Sequence, residues 1–263
     1  MIGRLPIAKM LAATVALTVV ISVIMLQVSW DGQQASTAAP KIDELLDVMI
    51  VLSSFVFSLV MVMLFYALWK FKAKPGDESD GEPIHGNTKL EIAWTVIPTI
   101  IVLFGAAYSW VVLDDIEAKE KDALRVDVFA QQYAWSFGYP GKDNVWTEGE
   151  LHVPVDRQID FKLHGLDVIH SFWVPEWRIK KDAVPGITTT ATVEPNRVGT
   201  YQLICTELCG FGHATMRAKV VVEPPQDFRK WVAGLDAKIP PSLLESISED
   251  AETSPEAVGA GGA

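Results

Sequence analysis

The sequence predicts a membrane-anchored protein in which an α-helical N-terminal part precedes an all-β domain outside the cytoplasm. Long apolar runs lie in the first 113 residues, charged residues follow abruptly after Leu113, and short alternating segments fill most of the rest. The formal net charge is −11, although 49% of the residues are hydrophobic. A high apolar content together with a large negative charge fits a chain whose apolar residues are concentrated in its N-terminal part.

Three apolar runs are long enough to span a bilayer: residues 10–28, 48–69 and 92–113. None contains a charged residue, and about 20 apolar residues cross the hydrocarbon core. The second and third runs predict a transmembrane hairpin within residues 41–114. The first run, within residues 1–40, predicts either a retained helix or a cleaved signal peptide. Arg4 and Lys9 precede it, and small residues follow it.

Positive residues predict the orientation. Lys70, Lys72 and Lys74 follow the second run, and Lys89 precedes the third. Because cytoplasmic loops are enriched in Lys and Arg, the chain after Leu113 is expected to lie outside, whether or not the first run is removed. We therefore expect a multi-pass protein of the plasma membrane with a periplasmic domain.

Residues 115–235 predict an antiparallel β-sandwich or barrel. Alternation of apolar and polar residues indicates half-buried strands at 124–129, 158–163, 188–193, 200–204 and 217–222. A short helix is expected at 225–235. Residues 236–263 combine prolines, acids and a Gly/Ala end, and we expect this acidic tail to be disordered because it cannot bury enough surface.

The two cysteines of the chain share one segment, Cys205-Thr206-Glu207-Leu208-Cys209-Gly210-Phe211-Gly212-His213-Ala214-Thr215-Met216. A structural disulfide, a zinc site and a pair of inert buried cysteines are alternatives, although a thioether is a poor zinc ligand. Thiolate, thioether and imidazole together favour copper. Two thiolates can bridge two copper ions, and the second histidine that this needs is found at His170.

With Leu166-Asp167-Val168-Ile169-His170-Ser171-Phe172 and Lys180-Lys181-Asp182-Ala183-Val184-Pro185-Gly186, this segment resembles cytochrome c oxidase subunit II over about residues 45–232. The resemblance implies a cupredoxin-like domain that holds a binuclear copper A centre. The implied side-chain ligands are His170, Cys205, Cys209, His213 and Met216. Glu207 would give its backbone carbonyl, and its carboxylate would reach a magnesium site shared with subunit I.

Two further stretches carry the resemblance. The segment Glu91-Ile92-Ala93-Trp94-Thr95-Val96-Ile97-Pro98 implies that Glu91 lies at the mouth of a proton pathway, although a carboxylate at a helix start also interacts favourably with the helix dipole. In Gln131-Gln132-Tyr133-Ala134-Trp135-Ser136-Phe137, Tyr133 stands where the family has its electron-accepting tryptophan, and Ala134 replaces the next aromatic. Tyr133 and Trp135 are therefore candidates for electron uptake, with packing as the alternative for Trp135.

The implied function is that of subunit II of a terminal haem–copper oxidase. Such a chain accepts electrons from cytochrome c or another periplasmic donor and passes them to haem in subunit I, where oxygen is reduced and protons are pumped. Expected partners are subunit I, subunit III, the donor and membrane lipid, with no nucleic acid. No C-x-x-C-H haem attachment sequence occurs here, so the electron donor is expected to be a separate protein or a neighbouring subunit. The resemblance implies that haem is bound only in subunit I.

Acidic residues could steer a basic donor, or could simply form a solvated surface; they are Asp143, Glu148, Glu150, Asp156 and Asp167. His85, His152 and His164 are interpreted as surface or hydrogen-bonded residues rather than ligands. The alternative functions are a quinol oxidase subunit II, which typically lacks the copper ligands, and a copper carrier or assembly protein. A nitrous-oxide reductase would need a second large domain.

Overall fold

The computed structural model describes residues 6–30, 32–73, 75–76, 83, 85–140 and 144–243. Arg4, Lys74, Asp143 and the tail from 244 to 263 lie outside these residues. The chain divides into two compact units, Met1–Trp30 with Asp43–Val112 and Asp31–Ile42 with Leu113–Ala263.

Long apolar helices make up most of the first unit: α1 (Ile7–Leu26), α2 (Ala39–Lys70) and α3 (Thr88–Glu117). The first residues of α2 and the last of α3 belong to the second unit. Each is long and apolar enough to cross a membrane by length and composition. Their large aliphatic side chains are mostly exposed, as expected of a surface made for lipid or for other membrane helices. The three predicted apolar runs are thereby confirmed as helices.

The second unit is a sandwich of two five-stranded sheets, ordered β3-β2-β1-β5-β8 and β4-β10-β9-β6-β7. Its strands are β1 (Leu124–Gln131), β2 (Ala134–Tyr139), β3 (Val145–Glu148), β4 (Glu150–Pro154), β5 (Ile159–Gly165), β6 (His170–Val174), β7 (Ile179–Ala183), β8 (Thr189–Val193), β9 (Gly199–Cys205) and β10 (Arg217–Glu223). The helix α4 (Pro225–Ala233) follows β10. The five predicted strands correspond to β1, β5, β8, β9 and β10, and the sequence does not identify the other five.

The sheets are not purely antiparallel, so that part of the prediction is wrong. β1 pairs in parallel with β5, and β4 pairs in parallel with β10. In both pairs the intervening chain visits the opposite sheet and returns in the same direction. Sequence alternation indicates which face of a strand is buried, but it does not show the direction of its neighbour.

The core lies between the sheets and is rich in aromatic side chains. The Phe172 ring meets Trp135 edge-on at 6.0 Å between centroids and Phe161 at 5.1 Å. Alternate residues of β1 and β5 point into this core, among them Val128 and Leu163, both fully buried. Such offset and edge-on ring contacts add roughly 0.5–1.5 kcal/mol each beyond area burial.

The segment of residues 32–42, which we name the strap, packs against the sandwich. Ala35 and Ser36 are completely buried. The Ala35 amide donates to the Glu176 carbonyl at 2.8 Å, and the Ser36 hydroxyl donates to the Trp177 carbonyl at 2.9 Å. The same hydroxyl accepts from the Ala39 amide at 3.1 Å, and it therefore caps the start of α2.

A C-terminal segment also packs against the sandwich. The Trp146 amide donates to the Ala237 carbonyl at 3.1 Å, and the Ile239 amide donates to the Asn144 carbonyl at 2.8 Å. Ile239 is buried over Gly138, where a Cβ would lie 2.9 Å from Ile239 Cδ1. The expected start of the disordered tail at residue 236 is therefore too early, because Ile239 supplies an apolar anchor.

Candidate metal centre

Strand directions bring the predicted ligands to one end of the sandwich. β9 is antiparallel to both β6 and β10, so the end of β9 lies beside the starts of the other two strands. His170 is the first residue of β6, Cys205 is the last of β9, and Met216 directly precedes β10. The loop between β9 and β10, which we name the cysteine loop (206–216), carries Cys209 and His213.

The five predicted side-chain ligands are brought together. His170 Nδ1 lies 3.9 Å from Cys205 Sγ, which lies 3.9 Å from Cys209 Sγ. His213 Nδ1 lies 3.6 Å and Met216 Sδ 3.8 Å from Cys209 Sγ. One ligand atom from each of His170, Cys205 and Cys209 lies within 4.8 Å of the others. The two thiols therefore form the middle of the cluster.

The backbone carbonyl of Glu207 lies beside the cluster. Its carbonyl oxygen accepts a contact from Cys205 Sγ at 3.3 Å, while its side chain is exposed. The backbone oxygen thus faces the cluster, and the carboxylate is directed outward.

Both cysteines are free and buried. Their sulfur separation of 3.9 Å is far longer than the ~2.05 Å of a disulfide. Burial, followed by the proximity of Cys205, raises the pKa of the Cys209 thiol to about 11. A soft cation would offset this cost by binding the thiolates, and it would release their protons.

Asp167 orients one of the two imidazoles. Its Oδ1 lies 2.8 Å from His170 Nε2, on the far side of the ring from Cys205. Burial would raise the pKa of Asp167, but hydrogen bonds from His170 and from the Gln132 and Val168 amides outweigh it, and the pKa is lowered. A carboxylate in this position holds the ring with Nδ1 free to coordinate a metal.

The turn between β1 and β2 contacts the cysteine loop. Gln132 Nε2 donates to the Cys209 carbonyl at 2.6 Å. The Tyr133 ring lies against the loop backbone, since a Cβ on Gly212 would come within 2.6 Å of it. Gly210 has φ +131° and is equally restricted, because a Cβ at this position would lie 2.7 Å from the Tyr133 hydroxyl. Gln132 and these glycines are not among the residues predicted from the sequence, although the Gly-x-Gly spacing in the loop is a signal that another group closely approaches the backbone.

The two candidate aromatic residues differ in exposure. Tyr133 is 39% exposed, whereas Trp135 is completely buried. Trp135 meets the His170 ring edge-on, with centroids 6.1 Å apart. Trp135 therefore packs behind His170 and is shielded from a partner protein, whereas Tyr133 is accessible to one.

The remaining histidines have the hydrogen-bonded character that the sequence predicts. His164 Nε2 lies 3.2 Å from Asp127 Oδ1. His152 Nδ1 lies 3.0 Å from Glu223 Oε1, and its ring stacks on Trp231 at 3.8 Å. His85 is exposed.

Two carboxylates of the expected acidic surface already have partners within the domain. Glu150 pairs with Lys219 at 3.0 Å, and Asp167 is bound to His170. Glu148 is exposed.

Glu91 lies in the first turn of α3. Its Oε1 accepts from the Asn87 amide at 3.3 Å, while the Asn87 side chain accepts from the Leu90 amide at 3.2 Å. This reciprocal pattern is a variant of the capping box in which the acid stands at the fourth helical position instead of the third. The carboxylate therefore has a structural role at the helix start, whatever else it does.

The fold and the cluster define a class of protein: a membrane-anchored chain with a cupredoxin-like domain that brings thiol, thioether and imidazole side chains together at one end. Residues 25–112 match the family described as cytochrome c oxidase subunit II, transmembrane domain, and residues 143–224 match cytochrome c oxidase subunit II, periplasmic domain. The chain belongs to the cytochrome c oxidase subunit II family.

Similar proteins agree with this assignment. Cytochrome c oxidase subunit 2 of Thermostichus vulcanus is 34% identical over 253 residues, which cover 76% of each chain. The protein of the same name from Synechocystis sp. is 33% identical, covering 84% of this chain and 81% of that protein. A probable quinol oxidase subunit 2 of Staphylococcus epidermidis is 32% identical, covering 70% of this chain and 50% of that protein.

Proposed function

We propose that this chain accepts electrons at a binuclear copper centre and passes them to a haem-bearing partner subunit that reduces oxygen. The observation that carries the proposal is the clustering of two free thiols with two imidazoles, a thioether and a backbone carbonyl. This donor set fits copper better than zinc, because thioether and thiolate are soft ligands.

Six residues of the chain would hold the copper ions. Cys205 and Cys209 would bridge two copper ions, and His170 and His213 would supply one imidazole to each. Met216 and the Glu207 carbonyl would be the weak ligands. The bound ions would supply a one-electron redox couple. Because Met216, His170 and both cysteines are buried, water is excluded and the ligands are held by packing, which favours fast electron transfer with little rearrangement.

A collar of apolar side chains surrounds the cluster on the outside. Its members are exposed: Tyr133, Val168, Ile169, Leu208 and Phe211. Contiguous exposed apolar side chains mark interaction surfaces, and this collar supports docking of a periplasmic electron donor such as cytochrome c. Tyr133 would receive the electron, because it is exposed and also contacts the cysteine loop.

The partner subunits follow from the same assignment. The exposed carboxylate of Glu207 would join a magnesium site shared with subunit I, with haem confined to that subunit. Subunit III would complete the complex in the plasma membrane. Glu91 would receive protons from the cytoplasm in addition to capping α3. Residues 115–235, with the strap, would form the periplasmic domain, and α1 to α3 would anchor it.

Two alternatives are less well supported. A quinol oxidase subunit of this family would not need the copper ligands, but all five side chains are present and assembled here. A copper carrier needs exchangeable ligands, whereas His170 and Met216 are completely buried.

The test is to load the full chain, purified in detergent, with copper and to record its electron paramagnetic resonance. We expect two coppers per chain and a spectrum in which one unpaired electron is shared equally between them. Cys209→Ser should abolish that spectrum, whereas His85→Ala, a change at an exposed histidine, should leave it unchanged. One copper or one zinc per chain would refute the proposal.

A further inference from the structure

Gln132 makes two hydrogen bonds to the residues around the cluster, one from its side chain and one from its backbone amide. Its side-chain Nε2 donates to the Cys209 carbonyl at 2.6 Å. Its backbone amide donates to Asp167 Oδ2 at 2.7 Å, and the other oxygen of that carboxylate binds His170 at 2.8 Å. A continuous series of hydrogen bonds therefore runs from Cys209 through Gln132 and Asp167 to His170.

The turn that carries Gln132 is seated directly on the cysteine loop. A Cβ on Gly210 would lie 2.8 Å from Gln132 Nε2 and 2.7 Å from the Tyr133 hydroxyl. Such distances are possible only because residue 210 is glycine, whose φ of +131° other residues rarely adopt. Contact between the turn and the loop thus depends on two features: the hydrogen bond from the Gln132 side chain to the Cys209 carbonyl, and the absence of a side chain at Gly210.

Within the part of the chain that the structure describes, the other hydrogen bonds of the cysteine loop are made inside the loop or to its own sheet, as from the Thr206 amide to the Ser171 carbonyl at 3.1 Å. The amide of Cys205, directly before the loop, donates to the carbonyl of Met216, the last residue of the loop, at 3.1 Å. Residues 213–215 form a 3-10 turn that bonds internally. The Gln132 carboxamide joins the middle of the loop, at the Cys209 carbonyl, to the turn between β1 and β2 of the opposite sheet.

We propose that Gln132 is a positioning residue that keeps the cysteine loop closed in the copper-free chain and holds Tyr133 against it. The assignment of Tyr133 to electron uptake rests on the proposed function. The closing of the loop does not, because it concerns only the chain itself. Loss of the carboxamide should leave the sandwich folded but let Cys209 swing away more often.

The experiment compares Gln132→Met with Gln131→Met in the full copper-free chain. Methionine matches glutamine in length but donates no hydrogen bond. Gln131 is the neighbouring exposed glutamine, so it controls for the same chemical change without the bond to Cys209. Because both thiols are buried, iodoacetamide reacts with Cys209 only when the loop opens, and its rate reports the open fraction.

We expect Gln132→Met to raise the rate of Cys209 alkylation about two- to tenfold, as loss of one neutral hydrogen bond implies, with an unchanged thermal midpoint. After copper loading, its midpoint potential should fall, because the Cys209 carbonyl loses a donor that favours the reduced state. Gln131→Met should show neither effect. Equal alkylation rates in the two variants would overturn the proposal. An unsubstituted chain without a binuclear copper spectrum would refute the proposed function, while the alkylation comparison would still decide the role of Gln132.

Discussion

Asp167 and His170 form a hydrogen bond of 2.8 Å between Oδ1 and Nε2, three residues apart at the start of β6. The bond fixes which imidazole nitrogen carries the proton, and it leaves Nδ1 on the side of Cys205. The lowered pKa of Asp167 keeps the carboxylate charged at neutral pH. A ligand histidine with such a partner is held in the correct tautomer before any metal arrives.

Replacement of Asp167 by alanine should weaken metal binding without removing a ligand. Loss of a carboxylate behind a ligand histidine typically lowers metal affinity about 10- to 100-fold. Competition titration with a copper chelator measures the change. Asp167→Asn, which keeps an acceptor but loses the charge, should fall between alanine and the unsubstituted chain.

The matched control for Asp167 is Glu148→Gln, which removes one exposed acidic charge from β3. It should leave the copper affinity unchanged. If Asp167→Ala and Glu148→Gln behave alike, the carboxylate acts only through the general field of the domain and not by orienting His170.

The two hydrogen bonds of the Ser36 hydroxyl should contribute to the stability of the fold. Alanine at this position would leave the Trp177 carbonyl without its donor and the Ala39 amide without its cap. The unfolding free energy of the second unit should fall by roughly 1–3 kcal/mol, the usual result of leaving a buried polar group unsatisfied. Thr37→Ala, an exposed neighbour, is the control in thermal denaturation. An equal midpoint for both variants would show that the strap does not stabilise the sandwich.

The strap also predicts the N-terminus of the mature protein. Ala35 and Ser36 are completely buried in the second unit, and cleavage after Ala38 would remove both. We therefore expect Ala35 and Ser36 to remain in the mature chain, with or without α1. Intact mass measurement of the membrane-extracted protein tests this. A mass that corresponds to a chain starting at Ala39 would contradict it.

The cysteine loop and the apolar runs could be predicted from the sequence because their signals are local. Cys205, Cys209, His213 and Met216 lie within twelve consecutive residues, and their donor chemistry is evident without a fold. Gln132 could not be assigned a role, because its partner Cys209 lies 77 residues away in the chain.

The parallel strand pairs and the strap escaped prediction for a similar reason. They depend on contacts such as that between Ser36 and Trp177, separated by 141 residues. Local propensity does not record which distant carbonyl a hydroxyl will meet. Trp135 shows the same limit: its aromatic sequence context is shared with Tyr133, but only the fold shows that it is buried behind His170.

Tyr133 should govern the rate at which the chain takes electrons from its donor. Tyr133→Ala is expected to lower the second-order rate of reduction by a soluble cytochrome c roughly tenfold or more, as loss of a central aromatic contact does at interfaces. Stopped-flow measurement at fixed ionic strength checks it. Tyr133→Trp should retain the rate, since it preserves an aromatic ring.

Two controls separate this effect from general damage. Val198→Ala removes an exposed apolar side chain outside the collar and should not change the rate. Trp135→Phe removes bulk from the core and should lower stability more than the rate. A Tyr133→Ala variant that is reduced as fast as the unsubstituted chain would exclude Tyr133 from electron uptake.

Glu91 allows its two roles to be separated by one substitution. Glutamine can still accept the hydrogen bond from the Asn87 amide and so preserve the capping box, but it cannot carry a proton at neutral pH. In the assembled oxidase, Glu91→Gln should slow turnover severalfold while the copper spectrum and the thermal midpoint stay unchanged. Asn87→Ala, which removes the other half of the capping box, should instead lower stability by roughly 0.5–2 kcal/mol with little change in turnover. If Glu91→Gln turns over at the unsubstituted rate, Glu91 only caps α3, because a residue that passes protons cannot lose its titratable group without consequence.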